Sequence, residues 1–168
     1  MKTMKKTLLA LTLVACVMHA ESTTTDQGLY AGVGLGIMAT DDKGDAGIGV
    51  SLKAGLSLED TLKGLGLQVE LNKSLSDPEN RNNNDIDVLT MAVYTTFDIE
   101  IPNSKVTLRP RIGMILPNMK DDIDSRDVIL SSGFGMMYAL EDNLRLYADY
   151  TVLGESISNY SAGLEIKF

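Results

Sequence analysis

Seven ionisable side chains stand singly in otherwise apolar or glycine-rich stretches: Lys53, Glu70, Arg109, Arg111, Arg145, Asp149 and Glu165. Carboxylates and basic groups so placed have three uses. They can carry ions along a path, act as acid and base in hydrolysis, or neutralise one another. Other carboxylates are grouped: Asp41, Asp42 and Asp45; Asp77, Glu79, Asp85 and Asp87; Asp121, Asp122, Asp124 and Asp127. Carboxylate oxygens suit calcium or magnesium. None of these groups has the central glycine of an EF-hand loop, so they read as solvated loops and no metal site is expected.

The only Cys (Cys16) and the only His (His19) fall in the first twenty residues. That stretch has the layout of a cleavable signal peptide. Lys2, Lys5 and Lys6 make a basic start, and Thr7 to Met18 is apolar. The apolar run is shorter than the roughly 20 residues a membrane-spanning helix needs. Ala20 is the small residue at the expected cleavage site. Leu13-Val14-Ala15-Cys16 also resembles a bacterial lipobox, which would leave Cys16 lipidated. Cleavage after residue 20 removes every Cys and His, and the chain has no Trp at all. Disulfides, zinc or copper sites on Cys or His, and Ser-His-Asp or Cys-His nucleophiles are then excluded. Losing three lysines takes the formal net charge from −8 to about −11. Such acidity disfavours a nucleic-acid partner, whose phosphates need Lys and Arg.

The elements that position the seven charges are strands. After a polar lead-in at 21–27, eight segments alternate with period two: roughly 28–38, 46–58, 64–74, 87–100, 105–116, 128–140, 144–152 and 157–168. Compact turns (59–63, 102–104, 141–143) alternate with polar connections, three of them longer (39–45, 75–86, 117–127) and the last brief (153–156). Connections this short make neighbouring strands antiparallel. One face is almost wholly apolar, as in Val33, Leu35 and Ile37 or Val69 and Leu71, with Thr95 and Ser132 as its polar interruptions. The other carries most of the glycines together with the seven charges, Asp98 and Lys167. Glycine on a solvated strand face weakens the strand and packs nothing. Inside a narrow barrel it makes room for long charged side chains. Near-balanced charge also suits an enclosed space, where an unpaired ion is costly. The expected fold is therefore all-β: an eight-stranded antiparallel up-and-down barrel spanning a membrane, apolar face outward. A soluble lipid-binding barrel would have the two faces exchanged.

The chain ends Tyr160-Ser161-Ala162-Gly163-Leu164-Glu165-Ile166-Lys167-Phe168. Tyr160, Leu164, Ile166 and the final Phe168 resemble the terminal-strand assembly signal of bacterial outer-membrane proteins. With the signal peptide, the strand number and the alternating connections, residues 28–168 resemble the small eight-stranded outer-membrane barrels: the OmpA transmembrane domain, OmpX and the opacity proteins. The resemblance implies residence in the Gram-negative outer membrane, termini in the periplasm and the polar connections outside. It implies as partners outer-membrane lipid, lipopolysaccharide loosely bridged to acidic loops, and the barrel-assembly machinery. The external ligand stays unidentified. It further implies a lumen filled by a structural salt-bridge network, no cofactor, and no enzyme, because enzymes of this kind and size use a His. Aromatic content is low, leaving Tyr30, Phe97, Tyr138, Tyr150, Tyr160 and Phe168 as candidates for the interfacial girdles. A small passive channel and a periplasmic lipidated barrel are the alternative functions.

Overall fold

The computed structural model describes residues 28–40, 46–76, 88–119, 128–153 and 157–168. The expected signal peptide, the polar lead-in and the grouped loop carboxylates lie outside these residues. The elements are β1 (Leu29–Thr40), β2 (Gly47–Ser57), β3 (Leu65–Ser76), β4 (Val88–Phe97), β5 (Ile99–Glu100), β6 (Val106–Met119), β7 (Ile129–Ala139), β8 (Leu144–Val152) and β9 (Ile157–Lys167). β4 and β5 are one barrel strand, because both pair β6 in a single register on either side of Asp98. Every neighbouring pair is antiparallel, β1 pairs β9, and β4 pairs β6. The sheet thus closes on itself with eight strands and no free edge, the arrangement a bilayer requires of backbone hydrogen bonds.

Closure depends on the terminal strand. β9 is in register with β1 from Tyr30↔Lys167 to Thr40↔Ile157. The Phe168 amide then donates to the Leu29 carbonyl (2.8 Å), sealing the last turn of the seam. Tyr160, Leu164, Ile166 and Phe168 all point outward and are exposed.

The alternation assigns the faces. Val33, Leu35, Ile37, Ile112, Met114, Leu130 and Phe134 are exposed on the outside, with Leu130 71% exposed. So continuous an apolar circumference cannot face water, and lipid is its solvent. A soluble barrel with an apolar interior is overturned by this orientation.

The strands at the loop end are longer than the sequence pattern indicated. Ala39 and Thr40 belong to β1, Leu75 and Ser76 to β3, and Pro117–Met119 to β6. At the other end the turns are tight. Gly64 has φ +83°, where a Cβ would meet the Asp98 carbonyl, and its own carbonyl accepts the Asp98 amide (2.6 Å).

Candidate functional site: the barrel lumen

Inward side chains fill the bore, and glycine makes the space. Six bulky inward residues lie across the ladder from one: Tyr30↔Gly55, Lys53↔Gly32, Tyr94↔Gly113, Arg109↔Gly135, Arg111↔Gly133 and Tyr147↔Gly163. A Cβ on Gly133 would sit 2.7 Å from Arg111 Nε, and one on Gly32 would sit 2.9 Å from Lys53 Cε. Long side chains therefore lie flat over their glycine partners and reach across the lumen.

On the next strand or across the lumen they meet opposite charge. Arg109 grips Asp98 with two bonds, Nε to Oδ1 (2.6 Å) and Nη2 to Oδ2 (2.8 Å), and gives its third to Glu165 Oε2 (2.9 Å). Arg111 Nη1 donates to Glu70 Oε2 (2.6 Å) and lies 3.4 Å from Asp149, while its Nη2 donates to Thr151. Lys53 Nζ donates to Asp149 Oδ2 (3.1 Å), lies 3.6 Å from Glu165 and sits 3.2 Å over the Tyr147 ring. Gln68 (3.0 Å) and Asn72 (2.9 Å) also donate to Glu70. Four cations (Lys53, Arg109, Arg111, Arg145) thus face four carboxylates (Glu70, Asp98, Asp149, Glu165). All but Arg145 and Asp98 are buried. Fork-shaped, charge-assisted bonds of this kind are the strong, geometrically selective ones.

Beyond the charges the lumen changes character twice. Next comes a neutral hydrogen-bonded layer, in which Asn159 donates to Ser51 (3.3 Å) and Asn72 (3.2 Å), and Asn72 to Thr90 (3.4 Å). Tyr94 joins Ser131 beside it (3.0 Å). Past that layer lies an apolar cluster: Met38, Val88, Ile115 and Leu153 have no exposure and Ile157 is buried with them, while buried Ser74 accepts the Val88 amide (3.0 Å). At the opposite end, between the compact turns, a cavity of about 660 Å³ opens beneath the charges, with Tyr30, Asp98, Arg109 and Arg145 in its wall.

All seven charges singled out in the sequence lie in this one connected lumen. Three details go beyond the sequence reading. Asp98, inward in the alternation but outside the expected set, is the bidentate partner of Arg109; its signal was its place opposite Arg109 in the register shared by β4, β5 and β6. Lys167 is half-buried at the cavity and makes no ion pair among the described residues. Lys53 is the ladder partner of Glu70, but its amine reaches over to Asp149. One girdle assignment is corrected. Tyr30 points inward, is 5% exposed, donates to Gln68 (3.1 Å) and is stacked by Arg109 at 4.5 Å. It has the parity of Gly32 and Gly34, so it belongs to the lumen face. Phe97, Tyr138, Tyr150, Tyr160 and Phe168 do lie on the outside. The neutral and apolar layers were not singled out from the sequence, although Val88 and Ile115 share the parity of the inward charges.

A family model described as outer membrane protein beta-barrel domain matches residues 7–168. No curated protein matches in sequence. Among solved structures, OprG from Pseudomonas aeruginosa aligns at TM-score 0.61 and 12% identity, covering 84% of this chain and 96% of its own. Neisserial surface protein A aligns at 0.54 and 18%, covering 88% and 100%. Ail of Yersinia pestis, solved with the heparin analogue sucrose octasulfate, aligns at 0.54 and 16%, covering 84% and 97%.

Proposed function

The chain belongs to the outer membrane protein β-barrel domain family, and on that premise we propose that it is a non-enzymatic barrel with a structural or surface-interaction role, its lumen closed by its own side chains. Its place is the outer membrane of a Gram-negative bacterium, with the apolar circumference against lipid.

The observation that carries the closed-lumen reading is the succession of layers along one bore. Ion-paired Lys53, Arg109 and Arg111 are followed by a neutral hydrogen-bonded layer and then by side chains with no exposure. An ion entering from the turn end would have to part charge-assisted bonds and then cross a layer whose described side chains are mostly apolar. The partners of this reading are outer-membrane lipid, lipopolysaccharide and the barrel-assembly machinery, which would engage the β9 face carrying Tyr160, Leu164, Ile166 and Phe168. Ail was solved with a polysulfated ligand. The three acidic loop groups of this chain hold eleven carboxylates, with only Lys43, Arg81, Lys120 and Arg126 among them, so a polysulfated surface ligand is disfavoured and lipopolysaccharide would be met through bridging cations.

Planar-bilayer recording on the folded barrel tests the closure. The expected trace shows rare, brief openings. A large, steady single-channel current in the wild type would replace this reading with a passive pore. Gel migration before and after boiling supplies the folding control, since a closed barrel runs differently from its unfolded chain.

A further inference from the structure

The cavity between the compact turns has a feature that neither closure nor membrane insertion uses. Arg145 lines its wall with a side chain that is 20% exposed and a guanidinium far from fully partnered. Among the described residues only two carboxylates come near it, Glu165 at 3.9 Å and Asp98 at 4.0 Å, both beyond hydrogen-bond length. Both are already committed, since Arg109 holds Asp98 at 2.6 Å and 2.8 Å and Glu165 at 2.9 Å. A planar fork of donors is thus turned to a cavity with no carboxylate of the described residues in bonding reach. Lys63, Lys105 and Lys167 line the same cavity. Setting aside the Arg109–Asp98 pair, four cations stand in the wall against Glu59 and Glu100, with Glu165 of the lumen network 3.9 Å behind Arg145. The side-chain layers above make it a dead end, so a ligand enters and leaves by one mouth. Its volume of about 660 Å³ lies within the roughly 300–1,000 Å³ of small-molecule sites.

We propose that this cavity binds a phosphate-bearing anion, with the Arg145 fork on two of its oxygens and Lys63, Lys105 and Lys167 balancing its charge. Guanidinium matches the paired oxygens of phosphate, and the lysines act as point charges that favour a polyvalent ligand over a monovalent one. The phosphate can come from a free solute or from a lipid headgroup in the adjacent leaflet.

Titration calorimetry of the whole folded barrel in zwitterionic detergent, with inorganic pyrophosphate as the probe, tests this site. The expected result is one saturable site per barrel, weakened at least tenfold by Arg145→Gln and about threefold by Lys167→Gln. Lys73→Gln, which removes a positive charge from the loop-end half, should leave it unchanged. Boiled and unboiled gel migration confirms folding of each variant, and Lys167→Gln keeps the test alive if Arg145→Gln does not fold. Absence of saturation in the wild type, or equal weakening by Lys73→Gln, overturns the site in favour of diffuse charge. Repeating the titration in phosphatidylcholine nanodiscs, with and without phosphatidylglycerol, separates the two sources. Competition by phosphatidylglycerol identifies the headgroup as occupant, and unchanged affinity identifies the free anion.

Discussion

The two halves of the lumen are packed by opposite physics. Toward the turns, Lys53, Glu70, Arg109, Arg111, Asp149 and Glu165 are buried with each charge compensated. Toward the loops, Met38, Val88, Ile115, Leu153 and Ile157 are buried with nothing polar to satisfy. A charged layer is stringent: its desolvation is offset only while every partner is present, so one deletion strands an ion. An apolar layer is forgiving, because losing a methyl group forfeits contacts without creating an unpaired charge. The charged half therefore sets which arrangement of strands is tolerated, and the apolar half adds stability with little specificity.

The sharpest way to break this contrast is Glu70→Ala. It strands Arg111, and breaking a buried pair costs about 3–5 kcal/mol. Urea unfolding in detergent, followed by the heat-modifiable gel shift, should show that loss. The Glu70→Leu/Arg111→Met double variant should recover most of it, and a double-mutant cycle should give a Glu70–Arg111 coupling above about 0.5 kcal/mol. A cycle value near zero would mean that the two charges are screened by water and act independently.

Ile115→Ala comes next. It removes apolar volume with no stranded charge, at a cost of roughly 2–3 kcal/mol, the low end of large-to-small core substitutions. Its coupling to Glu70→Ala should be small, although Ala92 is the ladder neighbour of both, because Ile115 carries no charge to strand. Strong coupling would show that the halves form one cooperative plug. Gly133→Ala is expected to have the smallest effect, about 1–2 kcal/mol, in the lower part of the overpacking range. Its Cβ would press on Arg111, a flexible side chain, and on the Tyr150 carbonyl, at 2.7 Å each. The loss should shrink when Arg111 is already Met, and an unchanged loss would assign the strain to the backbone carbonyl.

Much of this molecule is legible in its pattern. Alternation in 46–58 or 157–168 shows which residues share a face, and short polar connections require antiparallel neighbours. The opposed composition of the two faces identifies the outer one. Those are local properties of a pleated chain, which is why alternation by itself singles out Lys53, Glu70 and the other inward charges. Tyr30 was legible too, since its parity matches Gly32.

The partners across the bore were settled by the tertiary structure alone. Period two states the face of a side chain but not its height or its reach across the barrel. Height follows from the stagger of strands around the closed sheet, and reach follows from the glycine each long side chain lies upon. Hence Lys53, beside Glu70 in the ladder, bonds to Asp149 three strands away, and Arg109, beside Asp98 in the ladder, also reaches Glu165 three strands away. The sorting of the lumen into charged, neutral and apolar layers has the same origin. Residues 38, 88, 115, 153 and 157 are far apart in the chain, and only closure of β9 onto β1 and of β4 onto β6 brings them to one end.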